Sequence, residues 1–180
     1  MRLRFLYLIA LIPLAAHPGE LRHAGLLHRD GVYIVHVDAD IDADSGAVLA
    51  ILTDYDRLEQ ISPVLDEATL TSDEPLRLFL RAHTCILFYC FRVRALGDVV
   101  EHDQGLITAS IIPGESDFSH GALTCQVEGS RTGGSRVHLS GTVDPAFWIP
   151  PVIGPYILRR KLVREAGAAI HRIEALAAHE

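Results

Sequence analysis

The sequence predicts an α+β domain built from one strand, two short helices, six further strands and a long C-terminal helix. Three observations carry that prediction. Near the C-terminus Leu158, Leu162, Ala166, Ala169, Ile170, Ile173 and Ala177 recur at three- and four-residue steps, while Arg159, Arg160, Lys161, Arg164 and Glu165 lie largely off that stripe; this is a helix with one covered face. Between residues 31 and 143, apolar and polar residues alternate in runs separated by short turns, the period of half-buried strands. Connections this short join antiparallel neighbours. With 180 residues and 49% hydrophobic content, one sizeable core is available and nothing asks for two.

Residues 1–16 stand apart from this domain. Arg2 and Arg4 precede an apolar run, and Pro13, Ala15 and Ala16 lead into the polar His17, Pro18 and Glu20, the layout of a secretory signal peptide. Leu14 departs from the small residue expected three before a cut after Ala16. The run is short of the ~20 residues that span a bilayer. Export to the periplasm or outside is therefore expected, with an uncleaved N-terminal anchor as the alternative. Loss of Arg2 and Arg4 leaves 14 basic and 23 acidic residues, a net charge of −9 against −7 for the whole chain. Such an acidic protein has no general attraction for nucleic acid. Residues 17–30 read as a polar, weakly helical approach segment, and 31–178 as the domain.

Residues 31–41 are rich in β-branched side chains and form the first strand. Asp42 or Asp44 can cap the helix after it. Ala47, Val48, Ile51 and Leu52 make one short helical face, and residues 54–61 make a second short helix that Ser62 and Pro63 end. Residues 64–70 form the next strand. Leu76, Leu78, Leu80 and Ala82 then alternate with Arg77, Phe79, Arg81 and His83, and Phe91, Val93 and Ala95 with Arg92 and Arg94. A strand from 76 to 100 would far exceed the usual length, so a hairpin bend is placed within 85–90. With the bend, Cys85 and Cys90 flank its tip within disulfide reach; in a straight strand they stand ~17 Å apart and cannot bond. Residues 105–112 form a strand after a turn at His102 and Asp103. Leu123, Cys125 and Val127 give the inner face of the next. Val137, Leu139, Gly141 and Val143 give that of the last. Pro145, Phe147, Trp148, Pro150, Pro151 and Gly154 make an elbow, and Pro155 suits the first turn of the long helix.

Catalytic and metal-binding patterns are weak. The Asp38, Asp40, Asp42 and Asp44 series has neither the glycine nor the glutamate that a calcium loop needs in either frame. Ten histidines form no zinc motif. Ser116, Asp117, Ser119 and His120 supply triad residue types, but adjacent loop residues rarely reach triad geometry. Neither cofactor nor metal is expected.

The run LTDYDRLEQISPVL at 52–65, the turn PGESDFSHG at 113–121 and the elbow DPAFWIPPVIGP at 144–155 resemble the START-like, helix-grip superfamily of polyketide cyclases and aromatases, coenzyme Q-binding proteins and lipid carriers. The resemblance covers about residues 31–177. It implies a curved seven-stranded antiparallel sheet gripping the C-terminal helix, with an apolar cavity between them. Small inward residues, among them Ala39, Ala82, Ala95, Gly97, Ala109, Gly141 and Ala169, leave room there.

From alternation, the pocket is assigned to Tyr55, Leu78, Leu80, Phe91, Val93, Ile107, Ala109, Leu123, Leu139, Leu162, Ala166 and Ile170. In the resembled fold the mouth is surrounded by loops that here carry Ile86, Leu87, Phe88, Tyr89, Phe118, Phe147, Trp148 and Ile149, an apolar rim suited to transient membrane contact. The expected function is binding and transfer of a hydrophobic small molecule, such as a quinone, sterol-like molecule or fatty-acyl lipid, by a monomeric, non-catalytic protein. The alternatives are a cyclase of the same fold using Tyr55, Arg81 or His83, and a module whose elbow binds another protein.

Overall fold

The alternating runs fold, in the computed structural model, into a single antiparallel sheet. The structure describes residues 19–86, 89–131 and 133–179; the leader assigned to 1–16 and rim residues Leu87 and Phe88 lie outside them. In chain order the elements are β1 (Glu20–Arg29), β2 (Val32–Ile41), α1 (Ser45–Thr53), a 3-10 turn (Tyr55–Gln60), β3 (Leu65–Asp73), β4 (Leu76–Ile86) and β5 (Tyr89–His102). A short 3-10 turn (Asp103–Gly105), β6 (Leu106–Ile111), β7 (Phe118–Gly129), β8 (Ser135–Pro145) and α2 (Gly154–Ala177) complete the described residues. The strands lie in the order β1-β2-β8-β7-β6-β5-β4-β3.

The sheet therefore has eight strands, not seven, and the added one is the segment read as a weakly helical approach. The pattern ELRHAGLLHR hid it because β1 slips register between Leu21 and His23 against β2. Leu21 pairs with Ala39 and Ala24 with Val37, so inward residues are three apart across the irregularity. One bulge destroys the two-residue period on which strand recognition depends. Further register shifts at Leu65/Glu67, Leu70/Ser72 and Phe118/His120 bend β3 and β7 as bulges do.

Pairing brings the predicted inward residues onto one face. Leu78 lies opposite Gly97, Val99 opposite Ala109, Ala109 opposite Leu123, and Leu123 opposite Gly141. The hairpin bend is also present: β4 and β5 pair from Arg77↔Asp98 to Ile86↔Tyr89. Asp44, rather than Asp42, caps α1, its side chain accepting from the Gly46 amide at 2.8 Å. The β7–β8 turn uses Gly133 and Gly134, both at positive φ (92° and 73°), where a side chain is strained.

Helix α2 lies chiefly across β1, and it is fastened by its C-terminal half. Ile170 and Ile173 are buried with Ile41, Val48, Ile51, Tyr55, Ile61 and Val127. Glu174 Oε1 accepts from the Gly19 and Asp42 amides (2.6 and 3.0 Å), and an Arg172 Nη donates to the Ile61 carbonyl (3.2 Å). Earlier along the helix, Tyr156 and Val163 are exposed. The helix closes the sheet tightly at one end and stands more openly at the other.

Candidate functional site

Because α2 and α1 fill only one end of the inner face, the other end holds a hollow of about 200 Å³. Its wall is five strands wide: Leu78 and Leu80 on β4, Ala95, Gly97 and Val99 on β5, Ala109 and Ile111 on β6, Leu123 on β7 and Val143 on β8. Every lining residue is uncharged, and Ser110 is the one that carries a hydroxyl. Glycine and alanine at several of these positions make the space, since close packing would otherwise fill it. The hollow is open. Leu123 points to the inner face yet remains 38% exposed.

In the elbow after β8, Phe147 stands 5.5 Å from Phe91 and 5.9 Å from Phe118, centroid to centroid. These separations are typical of paired aromatic rings. Three distant stretches thus meet: β5, the start of β7 and the elbow. The turn at 113–117 is stitched to β5, with the Ser116 hydroxyl bonded to the Leu96 backbone (2.9 and 3.1 Å) and Asp117 accepting from the Arg94 amide (2.7 Å). Ser116 and Asp117 are therefore turn-forming groups and do not face His120. Beyond the rings, Trp148, Val152, Ile153 and Tyr156 are exposed. Cys85 and Cys90 stand opposite each other on β4 and β5 and are joined by a disulfide. The remaining cysteine, Cys125, is buried, and desolvation pushes its thiol up to about 11.

The curved-sheet wall, the end-fastened helix and the cluster of three phenylalanine rings all fall within residues 34–178, which match the family described as polyketide cyclase / dehydrase and lipid transport. The chain belongs to this family. β1 precedes the matched residues, so the eighth strand lies outside the match. No curated protein matches the sequence. Among solved structures, a START superfamily protein from Mycobacterium smegmatis superposes with a TM-score of 0.65 at 15% identity, covering 79% of this chain and 98% of that one. The Zhui aromatase/cyclase from Streptomyces sp. R1128 superposes at 0.62 with 12% identity, covering 82% and 94%. At such identities these neighbours speak for the START-like fold alone.

Within that family fold, the residues assigned to the pocket separate into groups. Leu78, Leu80, Ala109 and Leu123 line the hollow, and Phe91 meets Phe147 of the elbow instead. Tyr55, Ile107 and Ile170 are in the packed end instead, buried to 6%, 9% and 4% exposure, with Leu139 and Ala169 against them. Val93, Leu162 and Ala166 are half-buried and do not line the hollow. Alternation identifies a face, but it cannot say how far along that face the helix packs. Of the rim, Phe118 and Phe147 meet, Trp148 is exposed and Ile149 is half-buried; for Ile86 and Tyr89 only the backbone is described.

The residues considered for catalysis are engaged elsewhere. On the outer face Arg81 is ion-paired with Glu67, and His83 Nδ1 lies 2.6 Å from Asp66. Tyr55 points inward, but its hydroxyl donates to Glu101 Oε1 (2.9 Å), and burial with that carboxylate pushes its phenol well above the usual value. The aspartate series is likewise in use. Asp38 takes a 2.5 Å bond from His138, which holds its carboxyl below the usual range, and Asp40 pairs with Arg22 and Arg136. Among the described residues no group of three or more His, Cys, Asp or Glu is placed to hold a metal ion.

Two features escaped the reading from sequence. Val99 and Ile111 line the hollow, and cross-strand register, which needs the bulge positions, would have been required to place them. Lys161, assigned to the solvent side of the helix, turns inward to the sheet, where it meets Thr84.

Proposed function

We propose that this protein binds a hydrophobic small molecule in the hollow and passes it to or from membranes, outside the cytoplasm. The observation that carries the reading is the uncharged wall from β4 to β8, open on one side. A space lined by alkyl groups gains about 25 cal/mol for each Å² of apolar ligand surface taken from water. Water bound there would lack hydrogen-bond partners. The disulfide between Cys85 and Cys90 supports an oxidising compartment, in keeping with the leader pattern in residues 1–16.

Transfer rests on the surface around the mouth. Trp148, Val152, Ile153 and Tyr156, with exposures of 65, 86, 40 and 67%, lie in or beside the elbow that also presents Phe147. Trp and Tyr favour the membrane interface, and a patch of this kind is what an insoluble ligand needs in order to leave a bilayer without crossing water.

Native mass spectrometry of protein purified from its original host tests the binding. An apolar molecule carried into the gas phase is expected, whereas protein that is empty, and stays empty after incubation with lipid extract, would refute the reading. Co-sedimentation with liposomes tests the docking. Trp148→Ser combined with Val152→Ser is expected to lower the bound fraction severalfold, and undiminished sedimentation would remove the elbow from the mechanism.

A further inference from the structure

Lys161 has a position that carriage of a purely apolar ligand does not explain. It belongs to the more open half of α2, yet its ammonium is drawn inward and donates to the Thr84 hydroxyl at 2.6 Å. Thr84 comes after Leu80 and Ala82 at two-residue steps on β4 and is paired with Phe91. It therefore shares the face that lines the hollow. Among the described residues no carboxylate pairs with Lys161; Glu165, one turn along, is taken by Arg164 at 3.1 Å. A half-buried cation satisfied only by a neutral hydroxyl still has donors to offer. An anion beside it would restore the stabilisation that partial burial removes.

The distance and the volume fit one kind of molecule. Four residue steps along the strand separate Thr84 from Leu80 at the edge of the hollow, about 13 Å at ~3.3 Å per residue. Between them lie Ala82 and Val93, paired across β4 and β5 and uncharged. The hollow, at about 200 Å³, is smaller than the ~300–1,000 Å³ of sites for drug-sized ligands. A slender chain enters such a space more readily than fused rings. We infer that the ligand is a single-chain amphiphile with an anionic head, the head held by Lys161 with Thr84 and the alkyl tail reaching over Ala82 into the hollow.

The inference rests on the proposed binding function and narrows its ligand class. Bound at the head, an anionic oxygen replaces Thr84 as the acceptor of one Lys161 N–H, and the freed Thr84 hydroxyl can donate to the same group. Arg159 and Arg160 are exposed on the adjoining part of the helix and add positive potential on the way in.

Titration calorimetry with dodecanoate, dodecyl phosphate and methyl dodecanoate, below their aggregation concentrations, tests it. Wild-type protein is expected to bind at least one of the two anions about tenfold or more tightly than the ester, as charge-assisted hydrogen bonds provide; which anion leads identifies the head. Lys161→Met, which keeps the aliphatic stem, is expected to abolish the preference while leaving ester binding in place. Lys161→Gln, which keeps a polar side chain without the charge, is expected to lose the preference as well, and this second variant decides the matter if Lys161→Met fails to fold. Equal binding of ester and anions by the wild type, or a preference that survives Lys161→Met, overturns the anionic head and leaves carriage standing. Failure of all three probes to bind overturns the single-chain ligand and leaves carriage to the native mass spectrum.

Discussion

Replacing Ala109 with phenylalanine is expected to lower occupancy by an apolar ligand at least about tenfold while the protein stays folded, since added bulk costs its usual 1–3 kcal/mol only where no space exists to receive it. Ala109 stands on β6 between Val99 and Leu123 in the wall of the hollow. A phenyl ring at that point projects into a space of about 200 Å³ and covers the exposed flank of Leu123. The melting temperature should therefore hold or rise. Ligand recovered in native mass spectra, set against wild type prepared in parallel, measures the effect. Undiminished ligand in a folded Ala109→Phe protein would place the binding site somewhere other than this hollow.

The second large effect concerns the closed end. Ile173→Ala is expected to destabilise the protein by about 2–5 kcal/mol, the range for deleting branched aliphatic side chains from a core. For a chain of this size that is a fall of roughly 4–20 °C in melting temperature. Ile173 is 5% exposed and packs in the cluster that joins α2 to α1, the Tyr55–Gln60 turn and the sheet. The loss should be large because no apolar side chain is comparably buried in the first two turns of α2, where Tyr156 is 67% exposed. Val163→Ala, 42% exposed at the start, should change stability far less. Chemical denaturation monitored by circular dichroism compares the pair. Equal costs would mean that the helix is held along its whole length and that the open end is closed.

How much of the site was legible depended on which interactions set each part. The face assignments of Leu78, Leu80, Ala109 and Leu123 rest on a two-residue period, a local property, and pairing places all four in one wall. Tyr55, Ile107 and Ile170 share that inward character but lie where α1 and the C-terminal half of α2 cover the sheet. Their neighbours come from distant parts of the chain, and no local pattern encodes that. Lys161 shows the same limit on the helix. Its stem sits beside the apolar stripe and its charge belongs to the polar side, so the helical pattern alone places it in solvent. Only the arrival of β4 beneath it supplies the Thr84 hydroxyl that draws it in, as long cationic side chains allow.

By itself, the order of residues determined the α+β class, the long C-terminal helix, the two short helical turns after the β2 strand and the inward and outward faces of the later strands. Each arises from periodicity, capping or chain length, which act over a few residues. The pairing of β4 with β5 decided the bend between Cys85 and Cys90. The tertiary structure alone decided that Glu20–Arg29 is an eighth strand under α2, that the helix is fastened at one end, and where the hollow begins. A bulge shifts the β1 period, and packing between residues far apart in sequence sets the rest. Those are properties of register and of contact between elements, which appear only when the sheet is assembled.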